Sequence, residues 1–173
     1  SKGIPGVKEN NALAENAVKV VQEGARCCLY AAGLPAQFWT WAVPYFAFAM
    51  NIVIDIYGES QWQKRKGQHF KGKHIPFGAY VQFIPTNNPK QKKKIQRFSP
   101  RLRPGVFLKW EENVGGTWHG GYWVMDLQSC DASWSTFEQF REKARFFYTD
   151  HVEYDFKSPA HFPFKEWALS RER

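Results

Sequence analysis

The sequence has no apolar run long enough to cross a bilayer. The longest candidate, residues 46–56, is interrupted by Asn51 and Asp55, whereas a spanning helix needs about 20 consecutive apolar residues. A membrane-spanning segment is therefore excluded within the 173 residues, and we expect no membrane partner.

Cysteine is scarce, and its spacing does not suit a metal site. Cys27 and Cys28 are adjacent, so on a helix their side chains point about 100° apart and neither bridge nor chelate one metal well. Cys130 stands alone, and no CxxC or paired His/Cys spacing occurs. His69 and His74 have no further ligand in sequence reach. We expect packing thiols in a reducing intracellular compartment and no bound metal.

Acidic residues are outnumbered by basic ones. The chain has 24 Lys and Arg against 16 Asp and Glu, a formal net charge of +8. Such a surface favours polyanions, with nucleic acid (DNA or RNA) first. A merely soluble basic protein is the alternative that charge alone leaves open. The 15 Phe, 8 Trp and 7 Tyr exclude a disordered composition.

The positive charge is concentrated in one stretch, because no acidic residue lies between Thr86 and Pro104. Its seven cations are Lys90, Lys92, Lys93, Lys94, Arg97, Arg101 and Arg103. Backbone phosphates are the ligands that this spacing suits, although a Lys-rich run is more often a solvated face. A second basic cluster, Lys64, Arg65 and Lys66, lies in a polar stretch that reads as a linker over 57–73.

Two helices are predicted between Asn10 and Asn51. In the first, apolar residues recur at three- and four-residue steps and Asn11 is the expected N-cap. That stripe consists of Leu13, Ala17, Val20, Val21, Gly24, Cys28 and Ala31. Gly33 is expected to end this helix and Pro35 to begin the next. The second helix, 35–50, is apolar nearly all round, so we expect other protein subunits to cover it.

From His74 the pattern changes to the alternation of strands. Strands are predicted at 74–85, 105–110 and 117–127, with a turn at 113–116 between the last two. A capping box from Ser135 to Glu138 predicts a short helix at about 134–145. A last strand at about 147–156 and a Pro-containing tail at 157–173 follow. Several short strands with one inserted helix indicate a small barrel.

The helical region resembles the end of the catalytic core of copia-type retrotransposon integrases. That family carries a pattern close to N-G-V-A-E-R, an amphipathic helix, then L-P-x-x-F-W and a spaced A and N. The matching residues are Asn11, Leu13, Ala14, Glu15, Leu34, Pro35, Phe38, Trp39, Ala42 and Asn51. The sequence departs from the pattern at Ala12, where Gly is usual, and at Asn16, where Arg is usual.

The strand region is similar to the Src-homology-type (SH3-like) barrel that follows the integrase core in the same polyproteins. The matching residues are Phe77, Gly78, Arg103, Gly105, Val106, Phe107, Leu108, Tyr122 and Asp126. Lys109 replaces the usual Gly and Trp110 the usual Tyr. The two blocks span roughly residues 4 to 156 in the family's order, and that order is the specific part of the resemblance.

The resemblance implies an α+β chain. Residues 1–56 would be the helical remnant of a ribonuclease-H-like core, 57–73 a basic linker, 74–156 the SH3-like barrel and 157–173 a tail. It also implies two-metal phosphoryl transfer with three carboxylates. Glu15 matches the family's catalytic Glu, but the two Asp that complete the triad lie upstream of this sequence. We therefore expect no catalysis and no cofactor, with Mg²⁺ only in a complete integrase.

Lys19 is a candidate phosphate contact by the same resemblance. It lies four residues after Glu15, one helical turn along the same face. The alternative for both residues is a plain surface Glu–Lys pair worth about 0.3–0.5 kcal/mol.

Two functions of different classes remain. One is a retroelement integrase segment that binds nucleic acid without catalysis. The other is a domesticated, RNA-contacting structural subunit of a large ribonucleoprotein, such as a mitochondrial ribosome. The sequence begins in mid-motif without Met, so we expect a fragment or a processed product, located in the nucleus or an organelle.

Overall fold

A computed structural model describes residues 8–85, 102–134 and 136–172 of the chain. Its helices are α1 (Lys8–Ala32), α2 (Trp39–Ile52), α3 (Gln61–Lys66), α4 (Phe137–Lys143) and α5 (Pro163–Arg171). Its strands are β1 (Tyr80–Phe83), β2 (Arg103–Asn113), β3 (Thr117–Asp126), β4 (Phe146–Thr149) and β5 (Val152–Glu153). No helix in these ranges is long and apolar enough to cross a membrane.

The five strands form one antiparallel sheet in the order β4-β3-β2-β1-β5. The predicted class, α+β with helices first and antiparallel strands after, is confirmed. Among the described strands β4 and β5 are edges, so the sheet is not closed into a barrel by strand pairing.

Strand alternation places the side chains of β1 as predicted. Ala79, Val81 and Phe83 are buried, whereas Tyr80 and Gln82 on the opposite face are more exposed. The predicted turn between β2 and β3 is also present, closed by the Gly116 N–H donating to the Asn113 carbonyl over 3.1 Å. Period-two burial thus fixes the register of this sheet.

The first helix differs from its prediction at both its start and its buried face. It begins at Lys8, so Asn11 lies inside the helix and is not its N-cap. Residues 11–20 are exposed on all sides, and Leu13 in the predicted stripe is 70% exposed. Only the second half is covered, through Ala25 and Leu29. The stripe was wrong in this part because an apolar pattern shows which residues prefer burial, not how far the neighbouring helix reaches.

The end of α1 is as predicted. Gly33 adopts a left-handed conformation, with φ +69°, and Leu34 donates its N–H to the Leu29 carbonyl over 3.2 Å. An added Cβ at Gly33 would also lie 2.5 Å from the backbone of Lys165. Gly is therefore required there by conformation and by space.

The second helix packs on the sheet through one line of buried residues, Ala42, Tyr45, Phe48 and Ile52. Trp110 of β2 is stacked on both aromatic members of that line, 5.0 Å from Tyr45 and 5.3 Å from Phe48 between ring centroids. The chain itself therefore covers much of the helix for which we predicted external partners. Among its large apolar residues, Trp39 is still 59% exposed and Met50 45%.

The segment predicted as a basic linker contains α3 and belongs to the same core. Ser60 caps α3 by accepting the Gln63 N–H over 3.1 Å. Trp62 and Phe70 pack on Phe48 with ring centroids 5.7 and 5.6 Å away. The segment therefore joins the helices and the sheet through shared packing rather than only through the chain.

The helix predicted at about 134–145 is present as α4, and the predicted tail contains α5. The N-cap of α4 is Thr136, one residue later than predicted, and its N–H donates to Gln139 Oε1 over 3.2 Å. Phe164 of α5 is 4% exposed and lies 5.3 Å from Phe140 between ring centroids. Both late helices thus pack on each other.

Because Phe48 lies between the helices and Trp110, its truncation should destabilise the whole chain. We expect Phe48→Ala to lower the free energy of unfolding by about 3–5 kcal/mol, the usual cost of removing a buried aromatic ring. The measurement is urea unfolding followed by circular dichroism. Tyr57→Ala, at an aromatic side chain that is 83% exposed, should change stability by less than about 0.5 kcal/mol. Equal losses in the two variants would contradict a shared core.

Candidate nucleic-acid interface

One end of the sheet brings together residues from three strands that are far apart in sequence. Arg103 at the start of β2 is opposite Phe83 at the end of β1. Asp126 at the end of β3 is opposite Gly105. The Asp126 N–H donates to the carbonyl of Arg145, just before β4, over 2.9 Å. Antiparallel pairing thus places both flanks of the basic segment 86–101 at this end.

Most of the predicted phosphate ligands belong to that segment. Lys90, Lys92, Lys93, Lys94, Arg97 and Arg101 lie outside the described residues. The chain enters the segment after Pro85 and leaves it at Leu102, next to Arg103. Both ends of the segment that carries these six cations in the sequence are therefore anchored at this end of the sheet.

One further cation, Arg145, lies at the same end, and sequence reasoning missed it together with two cations that precede it in the chain. Arg141 and Lys143 belong to α4 and Arg145 follows it, and all three side chains are exposed. No ion pair engages them within the described parts of the chain. The three are inconspicuous in the sequence because Glu138 and Glu142 are interspersed with them. Only the sheet brings Arg145 to the end where Asp126 and Arg103 lie.

Arg103, which we predicted as a phosphate ligand, is used inside the molecule. Its guanidinium donates to Asp126 Oδ2 over 2.6 Å and lies 5.8 Å from the ring of Phe147. The Asp126 side chain is only 1% exposed, against 26% for Arg103. Burial raises the pKa of Asp126, and the neighbouring Arg103 charge offsets only part of this effect. A phosphate at Arg103 would have to compete with this carboxylate.

The basic cluster on α3 is largely engaged as well. Lys64 pairs with Asp55 over 3.1 Å and with Glu59 over 3.9 Å. Lys66 donates to the Gly115 carbonyl over 3.1 Å. Arg65 is exposed and has no ion pair among the described residues. Of the three predicted ligands on this helix, Arg65 is the one whose charge is free for a phosphate.

Glu15 and Lys19 lie on the exposed first half of α1. No ion pair joins them in the described ranges. Three metal-ligating side chains lie together nowhere in those ranges. The described residues therefore do not fit a two-metal centre, whose cations need several carboxylates at once.

Aromatic rings can stack on nucleic-acid bases only where they are accessible. Trp110 is 3% exposed and belongs to the core. Trp118 is half-buried, donates its indole N–H to the Gly121 carbonyl over 2.8 Å and lies 4.9 Å from the Phe70 ring. Both rings are thus committed to packing within the chain.

Comparisons of this chain with models of protein families, with curated proteins and with solved structures found no match.

We expect the buried pair at the sheet end to make stability depend on pH. Arg103→Met leaves Asp126 buried without its counter-ion and should cost about 3 kcal/mol at neutral pH. The folded-state pKa of Asp126 is already above its ordinary value, so its ionisation opposes folding as the pH rises through that raised pKa. The cost of Arg103→Met should therefore shrink on acidification, where Asp126 is protonated.

Urea unfolding of the unaltered chain and of Arg103→Met, at about pH 7 and about pH 5, measures how the cost of the substitution depends on pH. The double variant Arg103→Met with Asp126→Asn is the matched control, because it removes both charges and should lose less stability at neutral pH than Arg103→Met alone. A loss for Arg103→Met that does not change with pH would contradict the role assigned to Asp126.

Proposed function

We propose that the chain is a non-catalytic, integrase-derived protein that binds nucleic acid through charge. The observation that carries this proposal is that both ends of segment 86–101, whose sequence contains six cations, lie at the sheet end where Arg145 also lies. Free cations gathered at one place are the electrostatic footprint of a polyanion site. Lys64, Lys66 and Arg103 already have partners within the chain and would contribute less.

The finer assignment of the fold belongs to the same proposal. The order of the two sequence blocks supports a ribonuclease-H-like remnant formed by α1 and α2, followed by an SH3-like barrel. The antiparallel meander of β1 to β4, with the short strand β5 paired to β1, is compatible with such a barrel. In this proposal Glu15 is a remnant of the catalytic triad and has no metal to hold.

Nucleic-acid affinity should depend on the charge of the basic segment. Changing Lys92, Lys93 and Lys94 together to Ala should weaken binding about equally for all sequences. It should also flatten the salt dependence of the affinity by roughly three phosphate contacts, because each neutralised phosphate releases counterions. The measurement is a fluorescence anisotropy titration with DNA and RNA oligonucleotides over a series of salt concentrations.

The matched control for that experiment keeps the charge. Lys92→Arg, Lys93→Arg and Lys94→Arg together should bind nearly as the unaltered chain does, since a non-specific phosphate contact depends mainly on charge. Changing Arg141, Lys143 and Arg145 together to Ala tests the described side of the interface in the same way. Unchanged affinity at low salt in both Ala variants would mean that these cations only solvate the surface.

The chain should show no metal-dependent strand transfer or end processing. The physical reason is the charge required: two divalent cations need several anionic oxygens, and Glu15 supplies one. The assay is strand transfer and end processing on a labelled DNA end with Mg²⁺ or Mn²⁺. Activity that disappears in Glu15→Gln would overturn the non-catalytic assignment. Glu23→Gln, at an exposed acid on the same helix, is the matched control.

A second candidate function is a domesticated structural subunit that contacts RNA in a large ribonucleoprotein, such as a mitochondrial ribosome. It is favoured by the exposed first half of α1, where Leu13 is 70%, Val18 55% and Val20 42% exposed. Together with Trp39 this is more apolar surface than water-exposed helices usually carry, and it suits coverage by another subunit. A longer reading frame with two upstream Asp would favour the integrase segment instead.

A further inference from the structure

A cavity of about 470 Å³ lies beside the edge strand β5. Its floor is the outward face of β1 and β5, because Gln82 is paired with Glu153 in the register. The segment after β5 forms the opposite wall and is fixed to β1 by the Tyr80 N–H, which donates to the His161 carbonyl over 2.8 Å. The walls are thus held in place by the backbone.

The charge of this cavity is opposite to that of the protein as a whole. Glu153 and Asp155 line it, and none of the described lining residues is a Lys or Arg. Hydrogen bonds from the Ser158 hydroxyl (2.6 Å) and the Lys157 N–H (2.8 Å) lower the pKa of Asp155 and keep it ionised. A chain with net charge +8 therefore contains a cavity that repels phosphate.

The remaining walls supply flat aromatic surface. The rings of Tyr80 and His161 lie against each other, with centroids 5.4 Å apart. Tyr154 is packed edge-on against Phe156 at 4.8 Å. Partial burial and the charge of Asp155 raise the pKa of Tyr154, so its phenol stays neutral. Tyrosine ring faces beside carboxylates form a favourable environment for an organic cation.

We propose that this cavity binds the guanidinium of an arginine side chain presented by a peptide. A guanidinium is planar, so it can stack on a tyrosine ring while its five N–H donors reach several acceptors at once. Glu153, Asp155 and Gln82 line one cavity and carry carboxylate and amide oxygens that can accept them. Lysine fits less well, because its ammonium is a point charge without a stacking face. This proposal does not depend on the proposed nucleic-acid function.

The test is a titration of the full isotope-labelled chain, followed by nuclear magnetic resonance, with Nα-acetylarginine amide as the probe. Saturable shifts confined to residues 80–82 and 153–161 are expected. Nα-acetylcitrulline amide has nearly the same shape without the charge and should bind at least about tenfold more weakly, since a charge-assisted hydrogen bond is about twice as strong as a neutral one and several are lost. Equal binding of the two probes, or shifts spread over the molecule, would overturn the proposal.

Two variants test whether arginine binding depends on the acids of this cavity or on acids elsewhere on the surface. Glu153→Gln should weaken arginine binding about tenfold, because it removes one carboxylate from the cavity. This carboxylate is exposed and pairs with the His151 side chain, 3.2 Å away. Glu138→Gln, at an exposed acid on α4, should leave arginine binding unchanged. Nucleic-acid affinity should not fall in Glu153→Gln. Arginine binding that is insensitive to Glu153→Gln would contradict this site, whatever the outcome of the nucleic-acid titrations.

Discussion

The contact on which the rest of the molecule depends is the stack of Trp110 on Tyr45 and Phe48. The indole is 3% exposed, is nearly parallel to both rings, at 15° and 24°, and donates its N–H to the Lys73 carbonyl over 2.9 Å. Large aromatic rings bury more apolar area than any other side chains. Since this one cluster joins α2 to the middle of β2, neither the helices nor the sheet has a complete core of its own. The apparent division of the sequence into a helical part, a linker and a strand part therefore does not correspond to independent packing units.

This shared core also explains why the net charge is a poor guide to the binding surface. Cations near the helix–sheet junction are drawn into structural contacts: Lys66 donates to a backbone carbonyl, Lys64 pairs with two acids and Arg103 pairs with a buried one. Such contacts reduce the charge available to a ligand. Arg145 at the described sheet end, and Arg141 and Lys143 on the helix before it, form no ion pair with the described residues. The charge available to a polyanion is thus set by the number of unpaired cations at one place, which is smaller than the total number of cations.

Features that depend on local backbone geometry were predicted from the sequence. Features that depend on contacts between elements distant in the sequence were missed. Alternation predicted the buried face of β1, and Gly33 predicted the end of α1, because both follow from the preferences of one or a few residues. The stripe on α1 failed in its first half because none of the described elements covers Leu13. The segment predicted as a linker contains α3, whose Trp62 packs on Phe48. This contact was not predicted because Phe48 belongs to a different helix. The charged residues of 86–101 were recognisable as a candidate site because they are consecutive in the sequence. Arg145 became a candidate only because strand pairing brings it to the same end of the sheet.

The buried pair between Arg103 and Asp126 has a consequence for any ligand of the basic segment. A buried ion pair seldom adds net stability, because desolvation offsets most of the attraction. Here the carboxylate also accepts the Gln128 N–H over 3.1 Å, and the Asp126 N–H is bonded to Arg145. One residue thus fixes the start of β2, the end of β3 and the approach to β4 in a single arrangement. A polyanion that binds at this end meets strand ends that are already positioned, so no binding free energy is spent on ordering them. A polyanion can therefore bind at one defined place on the protein without any preference for nucleotide sequence.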